Sequence, residues 1–349
     1  MNAHSFSYPA SSAQRQPPVN LAPGDEACFA REQSRSFPRI TARLLRNACV
    51  SSEGICTVGN RLVQLPVLLT PGMPLTVRQC VKTTVTLARR ALSGLRGGRS
   101  EHVRRALLLT DVHFDGFFHW FGDILPKLEA LVSSCGDVRE YVVLVPATRD
   151  APYVAESLAA YGVEHRVIAP GNFVIADELC FIPRLTPTGN YRPELMRGMR
   201  ERICGRYPSS GVGIRLYVAR AEAPKRRLLN ENELAPILAS HGFDSVCMEK
   251  LRFSEQVKLA SRSQMIAGLH GAGLTHMLWA RGGASILEIR GTTEMQNNCY
   301  FSLASDLGHR YYYVPARQLS AWRPSYLSDY VVDVEQLDAA LAQLVTDAA

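Results

Sequence analysis

The sequence predicts an α/β protein built from two parallel, doubly wound sheets. Its 349 residues exceed the size at which one hydrophobic core usually stops growing, so two domains are expected. Strand-like runs alternate with helix-like runs twice, once before and once after a Pro- and Gly-rich break at residues 184–195. We therefore expect domains at residues 31–190 and 191–349.

The first half of the chain begins with a segment that shows no periodic apolar pattern. Residues 1–30 are rich in Ser, Pro, Ala and Gln and are predicted to form a disordered arm. Short apolar runs between residues 36 and 87 indicate small strands, and the Arg-rich segment at 88–105 indicates a basic loop. Apolar spacing then predicts, in order, strand "ALLLTDV", helix "FFHWFGDILPKLEALVSS", strand "YVVLVPAT", helix "PYVAESLAAYG" and strands "HRVIAP" and "ELCFIP".

The second half repeats this alternation after a helix around "MRGMRERICGRY". The predicted elements are strand "IRLYVAR", helix "ENELAPILASHG", strand "DSVCME", helix "FSEQVKLASRS", strand "QMIAGLHG", helix "LTHMLWARGG" and strand "SILEIRG". The tail "VDVEQLDAALAQLVTDAA" also has helical spacing.

Net charge and the cysteine pattern indicate which partners the chain binds and in which compartment it lies. A formal charge of +7 and a pI near 9.0 favour partners that carry phosphate: nucleotides, nucleic acid or an anionic membrane face. The nine cysteines include no Cys-x-x-Cys pair, which argues against a zinc site or a disulfide framework and favours a reducing compartment. Without a signal-like segment or a run of about 18 apolar residues, the chain is expected to be cytoplasmic.

A glycine-rich turn, "GLHGAGLTHMLWARGG", follows a predicted strand at Gly268. Glycines remove Cβ atoms and permit positive φ, so backbone N–H groups and the next helix can approach a phosphate. Tight packing alone explains such a turn equally well. The sequence does not fit the Gly-x-Gly-x-x-Gly fingerprint of dinucleotide-binding enzymes.

Charged residues follow the ends of two other predicted strands. Arg220 ends one strand and precedes Lys225, Arg226 and Arg227, which together form a candidate diphosphate clamp or a solvated basic loop. Glu288 follows "SIL" at the carboxyl end of a second strand, where a carboxylate can accept hydrogen bonds from ribose hydroxyls. Because the carboxyl ends of parallel strands share one sheet edge, these residues predict a nucleotide-diphosphate site.

With these residues assembled, the sequence resembles glycosyltransferase family 61. The motifs that carry the resemblance are "FFHWFGDILPKLEAL", "LYVARAEAPKRRLLNENEL", "FSEQVKLASRSQMIAGLHGAGLTHMLWARGGASILEIRG" and "YFSLASDLGHRYY", within residues 111–313. The resemblance implies a GT-B architecture, in which two Rossmann-like domains face each other across a cleft. It also implies an inverting, metal-independent transfer from a nucleotide-diphosphate sugar, with no cofactor.

The resemblance assigns donor binding to a set of residues in the second domain. They are Arg220, Arg226, Asn230, His270, Gly271, Ala272, Gly273 and Glu288. Asn230 could instead cap the following helix. His270, beside the phosphates, is expected to stabilise the charge of the leaving group rather than to accept a proton.

Inversion by direct displacement requires a base that removes the proton of the acceptor hydroxyl. His119 and Asp123 lie four residues apart in a predicted helix and hence on one face, and Asp115 or His113 in the preceding loop is an alternative. A carboxylate beside an imidazole fixes its tautomer and raises its basicity. A histidine among aromatic residues is also often a hydrogen-bonded core residue.

Other functional classes lack their motifs. An esterase, suggested by "HGAG", requires Gly-x-Ser-x-Gly, which the chain does not contain, and no nucleic-acid-binding motif is present. A non-catalytic or degenerate nucleotide-sugar-binding protein remains the alternative. We expect a bacterial cytoplasmic enzyme of capsule or lipopolysaccharide synthesis that acts on a glycan or lipid-linked acceptor. Its basic segment at 88–105 is interpreted either as a solvated surface or as a contact with the anionic inner face of the membrane.

Overall fold

A computed structural model describes residues 6–59, 61–64, 100–110, 116–147, 150–211, 213–220, 225–320 and 322–348. The chain forms two compact units. Unit 1 comprises Met1–Ala10 and Pro38–Leu185, and unit 2 comprises Ser11–Phe37 and Thr186–Ala349.

The described strands are β1 (Ser7–Tyr8), β2 (Ser11–Gln14), β3 (Ser34–Phe37), β4 (Ile40–Thr41), β5 (Arg43–Ser51), β6 (Cys56–Val58), β7 (Arg61–Gln64), β8 (Ser100–Leu108), β9 (Val142–Pro146), β10 (Glu164–Ile168), β11 (Phe173–Phe181), β12 (Ile214–Val218), β13 (Phe243–Val246), β14 (Ser263–Leu269), β15 (Ser285–Gly291), β16 (Arg310–Gln318) and β17 (Tyr330–Val332). The longer described α-helices are α1 (Glu26–Gln33), α2 (Leu125–Cys135), α3 (Pro152–Ala159), α4 (Pro193–Arg206), α5 (Glu231–Ser240), α6 (Phe253–Arg262), α7 (Cys299–Asp306) and α8 (Val334–Thr346).

Unit 1 contains a seven-stranded sheet with the order β10-β9-β8-β11-β5-β6-β7. The first four strands in this order run parallel, and β5, β6 and β7 join antiparallel to one another and to β11. Fully buried side chains such as Ala106, Leu144 and Leu179 form its core. The parallel α/β sheet predicted for the first half is therefore confirmed, with an added antiparallel edge.

Unit 2 contains a six-stranded sheet with the order β13-β12-β14-β15-β16-β17, parallel except for β17. Strand β15, one of the two central strands, is buried along its whole length, Ser285–Gly291, so both of its faces are covered. Parallel sheets covered on both faces produce such continuous apolar runs. The second predicted α/β sheet is confirmed. The element after β14 differs from its prediction, since Ala272–Trp279 is a 3₁₀ helix.

The prediction of a disordered arm at residues 1–30 is wrong for the described part of that segment. Residues 11–37 belong to unit 2, where β2 pairs with β3 and α1 lies between these two strands in the chain. Arg15 donates two hydrogen bonds to Asp306, at 2.9 and 2.8 Å, and both side chains are buried. Asn20 exchanges hydrogen bonds with the backbone of Tyr313. These partners lie almost 300 residues away, so local composition could not reveal them.

The domain boundaries change accordingly. The predicted first domain, 31–190, includes residues 31–37 and 186–190, which the structure assigns to unit 2. The division after Leu185 itself falls inside the Pro- and Gly-rich break.

The segment predicted as a basic loop is partly a strand. Ser100–Leu108 forms β8, and Arg105 binds the carboxylates of Glu178 and Glu140 rather than facing solvent alone. Arg89, Arg90, Arg96 and Arg99 lie outside the described residues, so contact of this segment with a membrane stays a prediction. Within the described part of the chain, no helix combines the length and apolar character needed to cross a bilayer.

Substitution of Phe29 in α1 tests whether the N-terminal segment contributes to the stability of unit 2. Its fully buried ring packs 5.1 Å from the Phe301 ring and 5.2 Å from the Tyr313 ring. We expect Phe29→Ala to lower the free energy of unfolding by about 3–5 kcal/mol in chemical denaturation. Val19→Ala, at a side chain that is 45% exposed, is the control and should change it by less than about 0.5 kcal/mol. Equal stability of the two variants would contradict this assignment.

Candidate functional site

The carboxyl edge of the unit 2 sheet contains a topological switch point. Strand β12 connects through α5 to β13 on one side, whereas β14 lies against its other side. Val218 and Gly268 occupy matched positions on β12 and β14, and Arg220 and His270 each follow two residues later. Ligands of open α/β sheets bind in the crevice at such a point. The structure thus brings the Arg220 and glycine-turn motifs together, as the sequence predicted.

The glycines of the turn allow it to pack against the end of β12. A Cβ atom on Gly273 would lie 2.6 Å from Val218 Cγ1, and one on Gly268 would lie 3.3 Å from the Val218 carbonyl oxygen. A Cβ on Gly271 would lie 2.7 Å from Arg220 Nη1. The left-handed φ region is not what these positions require, because none of the three glycines lies in it and Gly271 is extended. What Gly271 approaches closely is therefore a guanidinium group.

Arg220 and Arg226 form a cation pair beside this turn. The Arg220 side chain donates to the backbone oxygens of Arg226 and Lys225, at 3.0 and 2.9 Å. Arg226 has a φ of 59°, in the left-handed region that non-glycine residues rarely occupy, and its Nη1 donates to the His270 carbonyl oxygen at 3.2 Å. Burial, together with the neighbouring charge of Arg226, lowers the pKa of Arg220. An anion placed here would relieve this unfavourable proximity of like charges.

His270 is held on the opposite side by a buried carboxylate. Its Nδ1–H donates to Glu288, whose other carboxylate oxygen accepts from the Tyr311 hydroxyl. Burial alone would raise the pKa of Glu288, but the charges of His270 and Arg290 and these hydrogen bonds hold it below its usual value. Glu288 is fully buried in mid-strand and both of its oxygens are engaged. The predicted contact of Glu288 with ribose hydroxyls is therefore wrong for this arrangement.

Asn297 completes the surroundings of His270. Its amide nitrogen lies 3.1 Å from His270 Nε2 and donates to it when Nδ1 carries the proton. In this tautomer neither ring nitrogen offers a hydrogen to a phosphate. The geometry gives His270 a positioning role, and its stabilisation of leaving-group charge stays a prediction.

Two further predicted residues have structural partners. The Asn230 side chain donates to the Val332 carbonyl oxygen at 2.8 Å and accepts from the Val332 N–H at 3.3 Å, so it links the start of α5 to β17. It neither faces the crevice as a ligand nor caps α5 through its side chain. Arg227 pairs with Asp329 at 2.9 Å rather than with the Arg220 group.

In unit 1, His119 and Asp123 contact each other. His119 Nδ1 lies 2.7 Å from Asp123 Oδ2, with the histidine side chain 27% exposed and the carboxylate 3% exposed. The helical segment turns from an α-helical turn, Phe117–His119, into a π-helical turn, Trp120–Ile124, in which the Leu125 N–H donates to Trp120 O. Pro126 follows and lacks the N–H that a regular helix would use there. Asp115 and His113 lie outside the described residues.

The family of the chain follows from a match that includes both the His119–Asp123 pair and the Arg220–Arg226 pair. The model of the family described as "Glycosyltransferase 61" matches residues 117–287. This stretch begins at the first turn before His119 and ends one residue before Glu288. Over it, the chain belongs to glycosyltransferase family 61.

Individual members of family 61 match over shorter stretches. EGF domain-specific O-linked N-acetylglucosamine transferase of Drosophila melanogaster is 37% identical over 101 residues, 28% of this chain and 19% of that protein. The proteins of the same name from Gallus gallus and Bos taurus are 32% and 29% identical over 103 and 106 residues, 28% and 29% of this chain and 19% and 20% of those proteins. The matched stretch thus spans about one fifth of the length of these relatives. The names of these relatives do not support the predicted role in bacterial capsule or lipopolysaccharide synthesis.

Sequence reasoning on this family 61 member missed Arg290, Tyr311 and Asn297. Arg290 is fully buried and donates to the Met295 and Asn297 carbonyl oxygens and to Asn298 Oδ1, each at 3.1 Å. An arginine and a glutamate two residues apart inside an otherwise apolar strand, "SILEIRG", were the available signal. Two charged side chains on one buried face require internal partners.

The thiols and the potential metal ligands of the described ranges form neither a disulfide nor a metal cluster. The eight cysteines found there are all free. No group of three or more His, Cys, Asp and Glu side chains in those ranges is arranged to hold a metal ion. Metal independence stays a prediction.

Two alanine substitutions in the glycine turn should have different effects. Gly273→Ala places Cβ against the buried Val218 side chain and should lower the free energy of unfolding by about 1–3 kcal/mol. Gly271→Ala meets only the end of the flexible Arg220 side chain, so stability should change little while Arg220 is displaced. Denaturation and calorimetric titration with inorganic pyrophosphate measure the two effects. Retained pyrophosphate binding in a folded Gly271→Ala variant would contradict the proximity of the turn to the anion.

His276, in the 3₁₀ helix after the turn, predicts a pH dependence of stability. Burial lowers its pKa from 6.5 to about 4, although its ring contacts the Gly273 carbonyl oxygen at 2.7 Å. The unfolded chain takes up this proton near pH 6.5 and the folded chain only near pH 4, so acidification favours unfolding. Between pH 7 and pH 4 this group should reduce stability by on the order of 3 kcal/mol.

The matched variant is His276→Gln, measured by denaturation at several pH values beside the native chain. Asp306, whose pKa burial raises to about 6, acts in the opposite direction in both proteins and cancels in the comparison. The native chain should lose more stability than the variant below pH 6.5. Parallel pH profiles would show that His276 is not buried as a neutral ring.

Proposed function

We propose that this chain is an inverting glycosyltransferase of the GT-B class that uses a nucleotide-diphosphate sugar without a metal ion. Membership of family 61 supports transferase activity. The observation that carries the donor class is the Arg220–Arg226 pair at the switch point of a parallel sheet, beside a turn that its glycines bring close. Two guanidinium groups there supply the charge that a diphosphate requires.

The departing diphosphate is stabilised by these arginines and by the backbone that follows Gly271. His270 orients this backbone, because its ring is held by Glu288 and Asn297 while its carbonyl oxygen accepts from Arg226. Preorganised cations cost no rearrangement when the bond to the leaving group breaks. The Arg226 backbone, held at positive φ, is consistent with a position fixed for function.

His119 is the proposed acceptor-side base, and Asp123 is its orienting carboxylate. Donation from Nδ1 to Asp123 leaves Nε2 as the nitrogen that accepts a proton. The side chain is partly exposed, as a group that meets a substrate hydroxyl must be. The Asp123 carboxylate stabilises the imidazolium formed when the acceptor oxygen attacks the anomeric carbon. Asp115 stays an alternative.

The sugar, acceptor and compartment are proposals as well. The relatives' name favours N-acetylglucosamine as the transferred sugar and a protein domain as acceptor, whereas a glycan or glycolipid acceptor was expected from the sequence. An assay with both acceptor classes separates these. Free thiols at the eight described cysteines support a reducing compartment such as the cytoplasm.

Two substitutions should separate donor binding from catalysis. Arg226→Met removes a diphosphate contact and should weaken nucleoside diphosphate binding at least about tenfold by calorimetry. His119→Gln should leave that binding unchanged and lower the transfer rate by about 10²–10⁴. Arg281→Met, an exposed arginine that precedes β15 at the other sheet edge, is the control.

The native chain first has to bind a nucleoside diphosphate from a panel that includes UDP and GDP. A chain that binds none of them would overturn the proposal. A chain that binds a nucleotide sugar but neither transfers nor hydrolyses it would support the alternative of a non-catalytic nucleotide-sugar-binding protein.

A further inference from the structure

We infer that a polar cleft in unit 2 binds the sugar of the donor, with helix α1 of the N-terminal segment forming one of its walls. The inference rests on the proposed function. The cleft has a volume of about 250 Å³ and is lined by α1, by Arg35 of β3, by residues 187–190 and by residues 296–299. We refer to it as the amide cleft.

The amide cleft adjoins the proposed diphosphate site. Residues 296–299 follow the carboxyl end of β15, which pairs with β14 in the sheet. Asn297 both lines the cleft and contacts His270 Nε2 at 3.1 Å. The other side of His270, its carbonyl oxygen, contacts Arg226. His270 is therefore the residue that separates the arginine pair from the cleft, so a sugar attached to a diphosphate at that pair lies close to the cleft.

The lining of the amide cleft suits hydroxyl groups better than a nucleobase. Gln296 and Asn297 contribute exposed side-chain amides, and Thr188 contributes a hydroxyl. Asn190 and Asn298 also line the cleft, but their amides are buried and bonded within the protein. Amides present donors and acceptors together, which matches sugar hydroxyls that both donate and accept. No aromatic residue is among its described lining residues, so a planar base would find no ring on which to stack. The volume, below that of drug-sized pockets, suits a single sugar.

The walls of the amide cleft are held in place before any ligand binds. Arg15 donates to the Glu32 carbonyl oxygen at 2.8 Å and to Asn190 Oδ1 at 3.0 Å, which ties α1 to the loop at 187–190. Gly189 has a φ of 81°, and a Cβ there would lie 3.1 Å from Cys299 Cβ. Arg290 fixes the backbone at Asn297. Such preorganisation lowers the entropy cost of binding a small polar group.

Arg31 and Gln296 are the lining side chains best placed to contact a sugar. Both are exposed, and neither forms a hydrogen bond or ion pair with a described residue. Glu32 and Arg35, by contrast, are paired with each other at 2.7 Å. Arg31→Met and Gln296→Ala therefore remove ligand contacts without removing a contact that supports the fold.

The test compares a nucleoside diphosphate with its sugar conjugate, chosen from UDP and GDP and their hexose and N-acetylhexosamine derivatives. In the native chain, saturation-transfer NMR should show sugar protons saturated to an extent similar to the ribose protons. In Arg31→Met and Gln296→Ala, sugar saturation should fall at least twofold, and the Kd of the conjugate should rise about five- to tenfold. The Kd of the free nucleoside diphosphate should stay within twofold. Arg281→Met and Gln343→Ala, exposed residues outside the cleft, are the matched controls.

Each outcome has one meaning. If the native chain binds no nucleoside diphosphate, the proposed function fails. If the native chain binds a nucleoside diphosphate but the sugar protons of the conjugate receive no saturation, the amide cleft is not the sugar site and the proposed function stands. The same conclusion follows if the cleft variants behave like the controls. Equal weakening of the nucleoside diphosphate and of its conjugate would also overturn the sugar assignment.

Discussion

The carboxylate of Glu288 is the constraint on which the candidate site depends. It lies in the central strand of the unit 2 sheet with no exposed surface, so every one of its interactions must come from the protein. His270 and Tyr311 bind its two oxygens, and Arg290 balances its charge. The tautomer of His270, the position of the glycine turn and the orientation of Asn297 all follow from satisfying this one buried charge. Removing a partner would leave an uncompensated ion in the sheet.

This arrangement also explains why the N-terminal segment belongs to the second unit. The Tyr311 ring packs edge-to-face against the Phe29 ring, and Arg290 Cζ lies 5.1 Å from the centroid of that Phe29 ring. The Asn298 side chain donates to the Cys28 carbonyl oxygen at 2.7 Å. Helix α1 therefore covers the residues that support His270 and at the same time forms a wall of the amide cleft. One short helix thus serves both the rigidity of the site and its shape.

Sequence patterns predicted the parallel sheets and the meeting of Arg220 with the glycine turn, because period and strand-end position are local properties. They did not predict the partners of Asn230 or Glu288. Those side chains look like ligands in the sequence, yet the first bonds to β17 and the second to Tyr311. Which polar groups are satisfied internally depends on strands distant in the chain, and one sequence does not record these pairings. The same reason explains why the segment containing Arg15 was predicted to be disordered.

The path of the chain has a consequence for how the protein is made. The backbone starts in unit 1, enters unit 2 for residues 11–37, returns to unit 1 and finally re-enters unit 2 after Leu185. During translation, Arg15 and Phe29 are synthesised long before their partners Asp306 and Tyr311. Until those partners are made, the two side chains cannot form these contacts. Contacts of such long sequence separation close slowly. A chain that stops before α7 therefore lacks both Asp306, the partner of Arg15, and Phe301, a partner of Phe29, so the N-terminal part of unit 2 cannot pack until this helix has been made.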